Sequence, residues 1–166
     1  MTGFKTSVRI RRPIREVFAF VSDPLKFPRW NSAVQSVRKT AGRERQVGST
    51  YSMRRVLPSG GVHNELEIFA WEEPAEFGIR TTSGPTPFAY RYRFSSGPDG
   101  TLVHLDGRVE LAGAASVIAP LAARAVKRGV DLNLAALKRT LEVPPRPTRR
   151  PEPDRTEPTQ PQGSPR

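Results

Sequence analysis

The two histidines are the side chains best suited to acid–base chemistry near neutral pH. His104 lies between Val103 and Leu105, whose alternation places them on a covered strand face, so His104 should face solvent. His63 lies at a strand start, out of phase with Leu66, although a β-bulge could reverse that phase. We therefore expect surface histidines. Without a third ligand at a suitable spacing they predict no metal site, and no cofactor is expected.

The three tyrosines are better candidates for contact with a ligand. Tyr51, Tyr90 and Tyr92 share the apolar phase of alternating strands with Met53. A buried tyrosine hydroxyl needs a hydrogen-bond partner, and a carbonyl or hydroxyl of a ligand could supply one. The alternative is that these hydroxyls lie at the rim of a cavity, in contact with water. We interpret them as groups that orient a ligand rather than groups that make or break bonds.

One arginine, Arg55, falls in the inward phase of Tyr51 and Met53. Four other strand arginines fall in the charged phase: Arg54, Arg80, Arg91 and Arg93. No carboxylate shares the inward phase in mid-strand, and a buried charge without a partner is costly. Arg55, Tyr90 and Tyr92 are therefore the candidates for catalysis, but the missing acid–base pair argues against an enzyme.

The elements that position these residues begin with a strand and two short helices. Phe4–Ile10 alternates as a strand and ends before Pro13, after which apolar residues fall at helical spacing from Ile14 to Val21. Asp23 can cap a second short helix that runs to Trp30. These elements precede a long segment with a different period.

From residue 33 to residue 111, apolar residues recur at every second position, as is typical of strands. Turn signals divide this segment at Pro58–Gly61, Glu73-Pro74, Ser83–Pro85 and Gly97–Gly100. Consecutive strands with short turns predict an antiparallel meander of about six strands. One of its faces is apolar and aromatic, and the other is charged.

Residues 114–141 return to helical spacing and form the one large element left to cover the apolar face. Small side chains at Ala122, Ala125 and Ala135 leave space where a packed core would have leucine. We therefore predict a cavity between the sheet and this helix, with Leu121 and Ala125 facing it. A completely packed core is the alternative.

Composition limits the remaining function classes. The chain has 166 residues, enough for one domain, and no cysteine, which excludes disulfides and thiolate metal sites. Its formal net charge is +11, but the basic residues are scattered and alternate with acids on the predicted solvent faces. That pattern favours a salt-bridged surface over a specific nucleic-acid site.

The two ends of the chain bear on its location and order. The N-terminus lacks the apolar run of a signal peptide, and the longest apolar stretch, 114–123, is too short to span a bilayer. We therefore expect no transmembrane segment and a cytoplasmic protein. Residues 143–166 contain eight prolines and one aliphatic side chain, which predicts a disordered tail.

Five motifs together resemble the START-related helix-grip superfamily (SRPBCC), in its polyketide cyclase/dehydrase and lipid transport branch. They are Val8–Asp23, Phe27–Asn31, Glu73-Pro74, Asp99–Thr101 and Leu134–Glu142. The resemblance covers residues 4–142 and implies one ligand-binding domain over residues 1–142. It implies an α+β fold in which about seven antiparallel strands grip the C-terminal helix, with two short helices after the first strand. It also implies a tunnel for lipids, sterols, plant hormones or polyketides, capped at one end by Phe27 and Trp30.

We therefore expect this protein to bind a small hydrophobic molecule as a monomer or homodimer, with carriage of that molecule as an extension of the same role. The residues expected to contact the ligand are Trp30, Tyr51, Met53, Leu66, Ile68, Ile79, Tyr90, Tyr92, Leu105, Leu121 and Ala125. One alternative is a cofactor-independent polyketide aromatase/cyclase or dehydratase that uses Arg55, Tyr90 and Tyr92. Another is a role without a ligand, in which the basic surface contacts an anionic membrane or nucleic acid.

Overall fold

The computed structural model describes residues 2–57, 60–110 and 119–143. The predicted tail beyond Val143 and the predicted helical residues 114–118 lie outside the described residues. In chain order the elements are β1 (Thr2–Ile10), α1 (Ile14–Val21), a 3₁₀ helix (Pro24–Arg29), β2 (Val34–Ala41), β3 (Thr50–Leu57), β4 (Gly60–Glu72), β5 (Glu76–Ser83), β6 (Phe88–Gly97), β7 (Gly100–Val109) and α2 (Ala119–Glu142). The predicted α+β class and the two short helices after the first strand are confirmed.

All seven strands form one curved antiparallel sheet in the order β1-β7-β6-β5-β4-β3-β2. The meander from β2 to β7 is confirmed, and β1 closes it by pairing with β7, from Thr2 opposite Val109 to Ile10 opposite Thr101. The register shifts in the β2–β3 pair and again in the β4–β5 pair. Such shifts bend a sheet and increase its twist, which helps it to wrap around a helix.

Helix α1 covers one end of the concave face. Its buried residues Val17, Phe18 and Val21 pack where β6 and β7 meet it. The Phe18 ring makes edge-to-face contacts with Trp71 at 5.1 Å and with Phe94 at 5.3 Å between centroids. This end of the interior is a close-packed aromatic core.

The 3₁₀ helix begins with the predicted cap. The Asp23 carboxylate accepts a hydrogen bond from the backbone N–H of Leu25 at 3.1 Å, which satisfies a donor that has no partner within the helix. The chain then leads through Trp30 into β2, so the Phe27–Asn31 segment lies against that edge of the sheet.

Helix α2 crosses the concave face and is tied to β1 along its C-terminal half. Lys138 Nζ donates to the carbonyl of Arg9 at 2.7 Å, and Arg12 Nε donates to the carbonyl of Leu141 at 2.7 Å. The α2 residues Val130, Leu134 and Leu137 are buried in the hydrophobic core. No helix among the described residues is both long and apolar enough to cross a membrane.

Candidate functional site

A cavity of about 220 Å³ lies between the sheet, α2 and the segment that follows the 3₁₀ helix. Its apolar wall consists of Phe27, Trp30, Ala33, Val34, Met53, Leu57, Ile79, Phe88, Val109, Val126 and Val130. Its polar side chains are Asn31, Arg55, Thr86, Tyr90, Tyr92 and Asn133. The described part of this wall contains no aspartate, glutamate, lysine or histidine.

The structure brings five of the predicted ligand-contacting residues together at this cavity: Trp30, Met53, Ile79, Tyr90 and Tyr92. Arg55 joins them, so the three candidates for catalysis share one wall. Four others lie on the same inward face but not at the cavity: Tyr51, Leu66, Ile68 and Leu105. The strand phase therefore identifies the covered face, but not the part of that face that remains open.

The prediction that Leu121 and Ala125 face the interior is wrong, because both are exposed and Leu121 keeps 64% of its surface. An α-helix has 3.6 residues per turn, so Leu121 is rotated about 160° away from the buried Leu137. Ala122, one of the alanines predicted to make room, lies among residues whose side chains are not described. The prediction combined two different faces of the helix into one stripe.

The α2 residues that line the cavity lie at helical spacing from the buried Leu137, on the same side of the helix. They are Val126, Gly129, Val130 and Asn133. Gly129 borders the cavity at an exposed position, where a Cβ atom built on it has no neighbour within 4 Å. The sequence carried this signal, since these positions are four, seven, eight and eleven residues before Leu137.

Arg55 is half-buried at the cavity wall and held in a fixed direction by neutral acceptors. Its Nε donates to Oδ1 of Asn64 at 2.9 Å. Its Nη2 donates to the carbonyl of Pro85 at 3.1 Å and to that of Thr86 at 3.4 Å. The guanidinium also lies 5.4 Å from the centre of the Phe88 ring. Burial lowers the pKa of Arg55, while the neighbouring Tyr90 opposes that shift.

A buried asparagine and a glycine turn position the loop that holds Arg55. Asn64 is 1% exposed, and its Nδ2 donates to the carbonyls of Ser83 at 3.3 Å and Pro85 at 2.9 Å. Gly84 has a φ of +98°, and a Cβ there would lie 2.2 Å from the carbonyl oxygen of His63. Only glycine lets the loop approach β4 this closely, which brings the two carbonyls to Arg55.

The hydroxyls of Tyr90 and Tyr92 form no hydrogen bond with any other described residue. Burial raises the pKa of Tyr90 to about 12, an effect that Arg55 partly offsets. Burial and then the neighbouring Tyr90 raise the pKa of Tyr92. Both side chains are therefore neutral near pH 7, when each can donate a proton in a hydrogen bond to a ligand oxygen.

Trp30 also lines the cavity. It is 5% exposed, and its indole Nε1–H is buried without a partner among the described residues. Beside it, Asn133 Nδ2 donates to Asn31 Oδ1 at 3.1 Å, and Asn133 Oδ1 accepts from the Ser32 backbone N–H at 3.2 Å. These bonds join α2 to the segment after the 3₁₀ helix beside the cavity.

The remaining candidates lie outside the cavity. His63 and His104 are exposed, as predicted. On the outer face, Arg80 Nη2 pairs with Glu67 Oε2 at 2.9 Å, which confirms the expected salt bridging between strands there. Arg91 and Arg93 both pair with Glu76 in the same way. Within the described ranges, no group of three or more histidine, aspartate or glutamate side chains could hold a metal ion.

Solved structures share this fold at low sequence identity. A START superfamily protein from Mycobacterium smegmatis is 16% identical with a TM-score of 0.70, covering 84% of this chain and 97% of that chain. A protein from Thermus thermophilus is also 16% identical, with a TM-score of 0.72 and coverages of 84% and 96%. The di-domain ARO/CYC BexL from the BE-7585A biosynthetic pathway is 21% identical with a TM-score of 0.68, covering 86% of this chain and 50% of BexL. At these identities the likeness shows the fold alone.

Sequence comparison gives the family. No curated protein matches the chain. The model of the family described as polyketide cyclase / dehydrase and lipid transport matches residues 1–142. That match agrees with the resemblance inferred from the five motifs. The chain therefore belongs to the polyketide cyclase / dehydrase and lipid transport family.

Proposed function

We propose that this protein binds a small hydrophobic molecule in the cavity between the sheet and α2, and that it can carry the molecule there. The observation behind this proposal is a gap of about 220 Å³ inside the hydrophobic interior, walled largely by aromatic and aliphatic side chains. Folding leaves these side chains without neighbours on one side, so they lose contacts that a guest would restore.

The size of the gap limits the ligand. Pockets for drug-sized molecules usually measure about 300–1,000 Å³, and this one is smaller at about 220 Å³. A compact molecule of one or two rings fits better than a long acyl or polyketide chain. Burying about 200 Å² of its apolar surface would contribute about 5 kcal/mol at ~25 cal/mol per Å².

The polar groups of the wall support binding more than catalysis. A tyrosine whose pKa is raised to about 12 stays protonated near pH 7 and cannot take up a proton there. Tyr90 therefore serves as a hydrogen-bond donor. No carboxylate or histidine from the described residues lines the cavity to remove a proton. The tyrosines and Arg55 therefore orient a ligand that apolar burial holds.

Fluorescence of Trp30 tests this proposal directly. The second tryptophan, Trp71, packs against Phe18 and Phe77 away from the cavity, so the Trp71→Phe variant leaves Trp30 as the only tryptophan. Adding methyl 2-naphthoate, a neutral two-ring probe, should change its emission saturably. Native mass spectrometry should show one probe molecule per chain.

Two variants in the same background distinguish the cavity from the surface. Gly129→Leu should weaken probe binding at least about tenfold, because Gly129 lines the cavity and a leucine there adds bulk at its wall. Ala125→Leu adds similar bulk one turn earlier, at an exposed position that does not line the cavity, and should leave binding unchanged. If neither fluorescence nor mass spectrometry detects uptake by the unaltered protein, the proposed function is wrong.

A second candidate is a polyketide aromatase/cyclase or dehydratase acting in the same cavity. The observation that favours it is that Arg55, Tyr90 and Tyr92 share one wall, where they could polarise a ketone oxygen. Incubation with a synthetic β-polyketone thioester should then give a cyclised or dehydrated product that changes in the Tyr92→Phe variant. An identical product profile with and without the protein removes this candidate.

A further inference from the structure

We infer that the ligand is a compact organic carboxylate whose anionic group binds Arg55. This inference rests on the proposed binding function and names the class of molecule that the cavity takes. Three features of the cavity support it. Arg55 has no negative partner in the described wall, the wall offers hydrogen-bond donors, and the cavity is small.

Arg55 carries a positive charge at a hydrophobic wall without a negative partner among the described residues. Its hydrogen bonds go to the amide oxygen of Asn64 and the carbonyls of Pro85 and Thr86, all of them neutral. Its Nη1 forms no hydrogen bond with a described residue. Arg80 on the outer face, by contrast, pairs with Glu67. Partly buried charge is costly without a counterion, and the carboxylate of a ligand would supply one.

The fixed direction of the guanidinium suits a carboxylate in particular. Asn64 and the loop carbonyls hold Nε and Nη2, so the group is oriented before a ligand arrives. A hydrogen bond from a guanidinium N–H to a carboxylate oxygen is charge-assisted, and such bonds are among the strongest in proteins. With Nε and Nη2 already engaged, Nη1 is the nitrogen left to donate first.

The wall also contains another donor that lacks an acceptor. Trp30 Nε1–H is buried without a partner among the described residues. The side-chain oxygens of Asn31 and Asn133 are already occupied, by Asn133 Nδ2 and by the Ser32 backbone N–H. Hydroxyls can act either way, but no anionic acceptor is present in the described wall. A cationic amine would therefore meet Arg55 with nothing to neutralise it.

The test compares two probes that differ only in charge. 2-Naphthoate is an anion at pH 7, and methyl 2-naphthoate keeps the same rings and carbonyl without the charge. The unaltered protein should bind naphthoate at least about tenfold more tightly than the ester, since one charge-assisted hydrogen bond accounts for such a factor. Calorimetric titration of the full chain measures both affinities.

A matched pair of arginine variants assigns the preference to the cavity. Arg55→Gln should bring the naphthoate-to-ester affinity ratio close to one, and Arg55→Lys should retain part of it. Arg54→Gln removes the same charge from the adjacent exposed residue and should leave the ratio unchanged. Ester affinity in each variant, together with its thermal unfolding temperature, separates the loss of a charge from the loss of the cavity.

Each outcome has one meaning. Equal binding of both probes by the unaltered protein overturns the carboxylate assignment and leaves the proposed function intact. A ratio that falls equally in Arg54→Gln and Arg55→Gln overturns it too, because the attraction would then come from the surface charge. Binding of neither probe overturns the proposed function, and the carboxylate assignment falls with it.

Discussion

The two ends of the interior are built on the same strands but covered differently. On β6, Phe94 packs into the aromatic core beneath α1, while Phe88 lies at the cavity beneath α2. The two residues are six positions apart, about 20 Å along a strand. At the α1 end the cover inserts the ring of Phe18 between Trp71 and Phe94. At the α2 end it presents Gly129 and short side chains.

This difference shows that the cover, rather than the sheet, decides whether the interior is solid or hollow. Both ends of the sheet supply aromatic side chains, so the strand pattern alone cannot distinguish a core from a binding site. Helix α2 lines the cavity with Val126, Gly129 and Val130. The short side chains on α2 fill less of the interior than the ring of Phe18 does beneath α1.

The largest expected contrast comes from truncating one phenylalanine at each end. Phe18→Ala should lower the free energy of unfolding by about 3–5 kcal/mol, because it empties a close-packed site. Phe88→Ala should cost less, since that ring already borders empty space and has fewer contacts to lose. Urea denaturation of both variants measures the difference. Equal losses would show that the two ends are equally packed.

Alkaline pH provides a second contrast through the buried tyrosines. Burial raises the pKa of Tyr90 to about 12 from 10.0. Between these pH values the unfolded chain gives up the tyrosine proton while the folded protein keeps it. The contribution of Tyr90 to the free energy of unfolding is therefore fully present below pH 10. It is lost as the pH rises toward 12 and amounts to about 2–3 kcal/mol.

The Tyr90→Phe variant isolates this contribution. Its free energy of unfolding should fall less steeply between pH 10 and pH 12 than that of the unaltered protein. His104→Gln, at an exposed position outside the cavity, serves as the control and should keep the original slope. An unchanged slope in Tyr90→Phe would mean that the tyrosine titrates alike in the folded and unfolded states.

The smallest expected effect is at Gly129 on α2. Gly129→Ala should raise the free energy of unfolding by about 0.5–1 kcal/mol, because alanine favours a helix and its methyl group meets no neighbour within 4 Å. Thermal unfolding measures the gain. A loss of stability instead would show that this side of α2 is already filled.

Strand phase and turn signals in the sequence predicted the fold well. Alternation identified the strands, and Asp23 marked the start of the 3₁₀ helix. The same alternation placed Leu66 and Tyr90 on one face without showing that the first is packed and the second borders space. Period alone reports which face is covered, whereas the volume left open depends on long-range packing against α2.

The polar part of the site was harder to predict. Arg55 was identified by its phase, but its acceptors come from Asn64 on β4 and from a loop about thirty residues away. Asn133 and Gly129 were missed because the stripe on α2 was read across two faces. Counting back from Leu137 in a single phase would have found both.

Methyl NMR with a bound probe tests the central claim most directly. The claim is that, among the described residues, the cavity lies beneath α2 and not beneath α1. With 2-naphthoate added to the full chain, intermolecular NOEs should appear at the methyl groups of Met53, Val126 and Val130, which line the cavity. They should be absent at Val17 and Val103 in the packed core. NOEs at the core methyls, or at none of these residues while the probe is bound, would contradict the account.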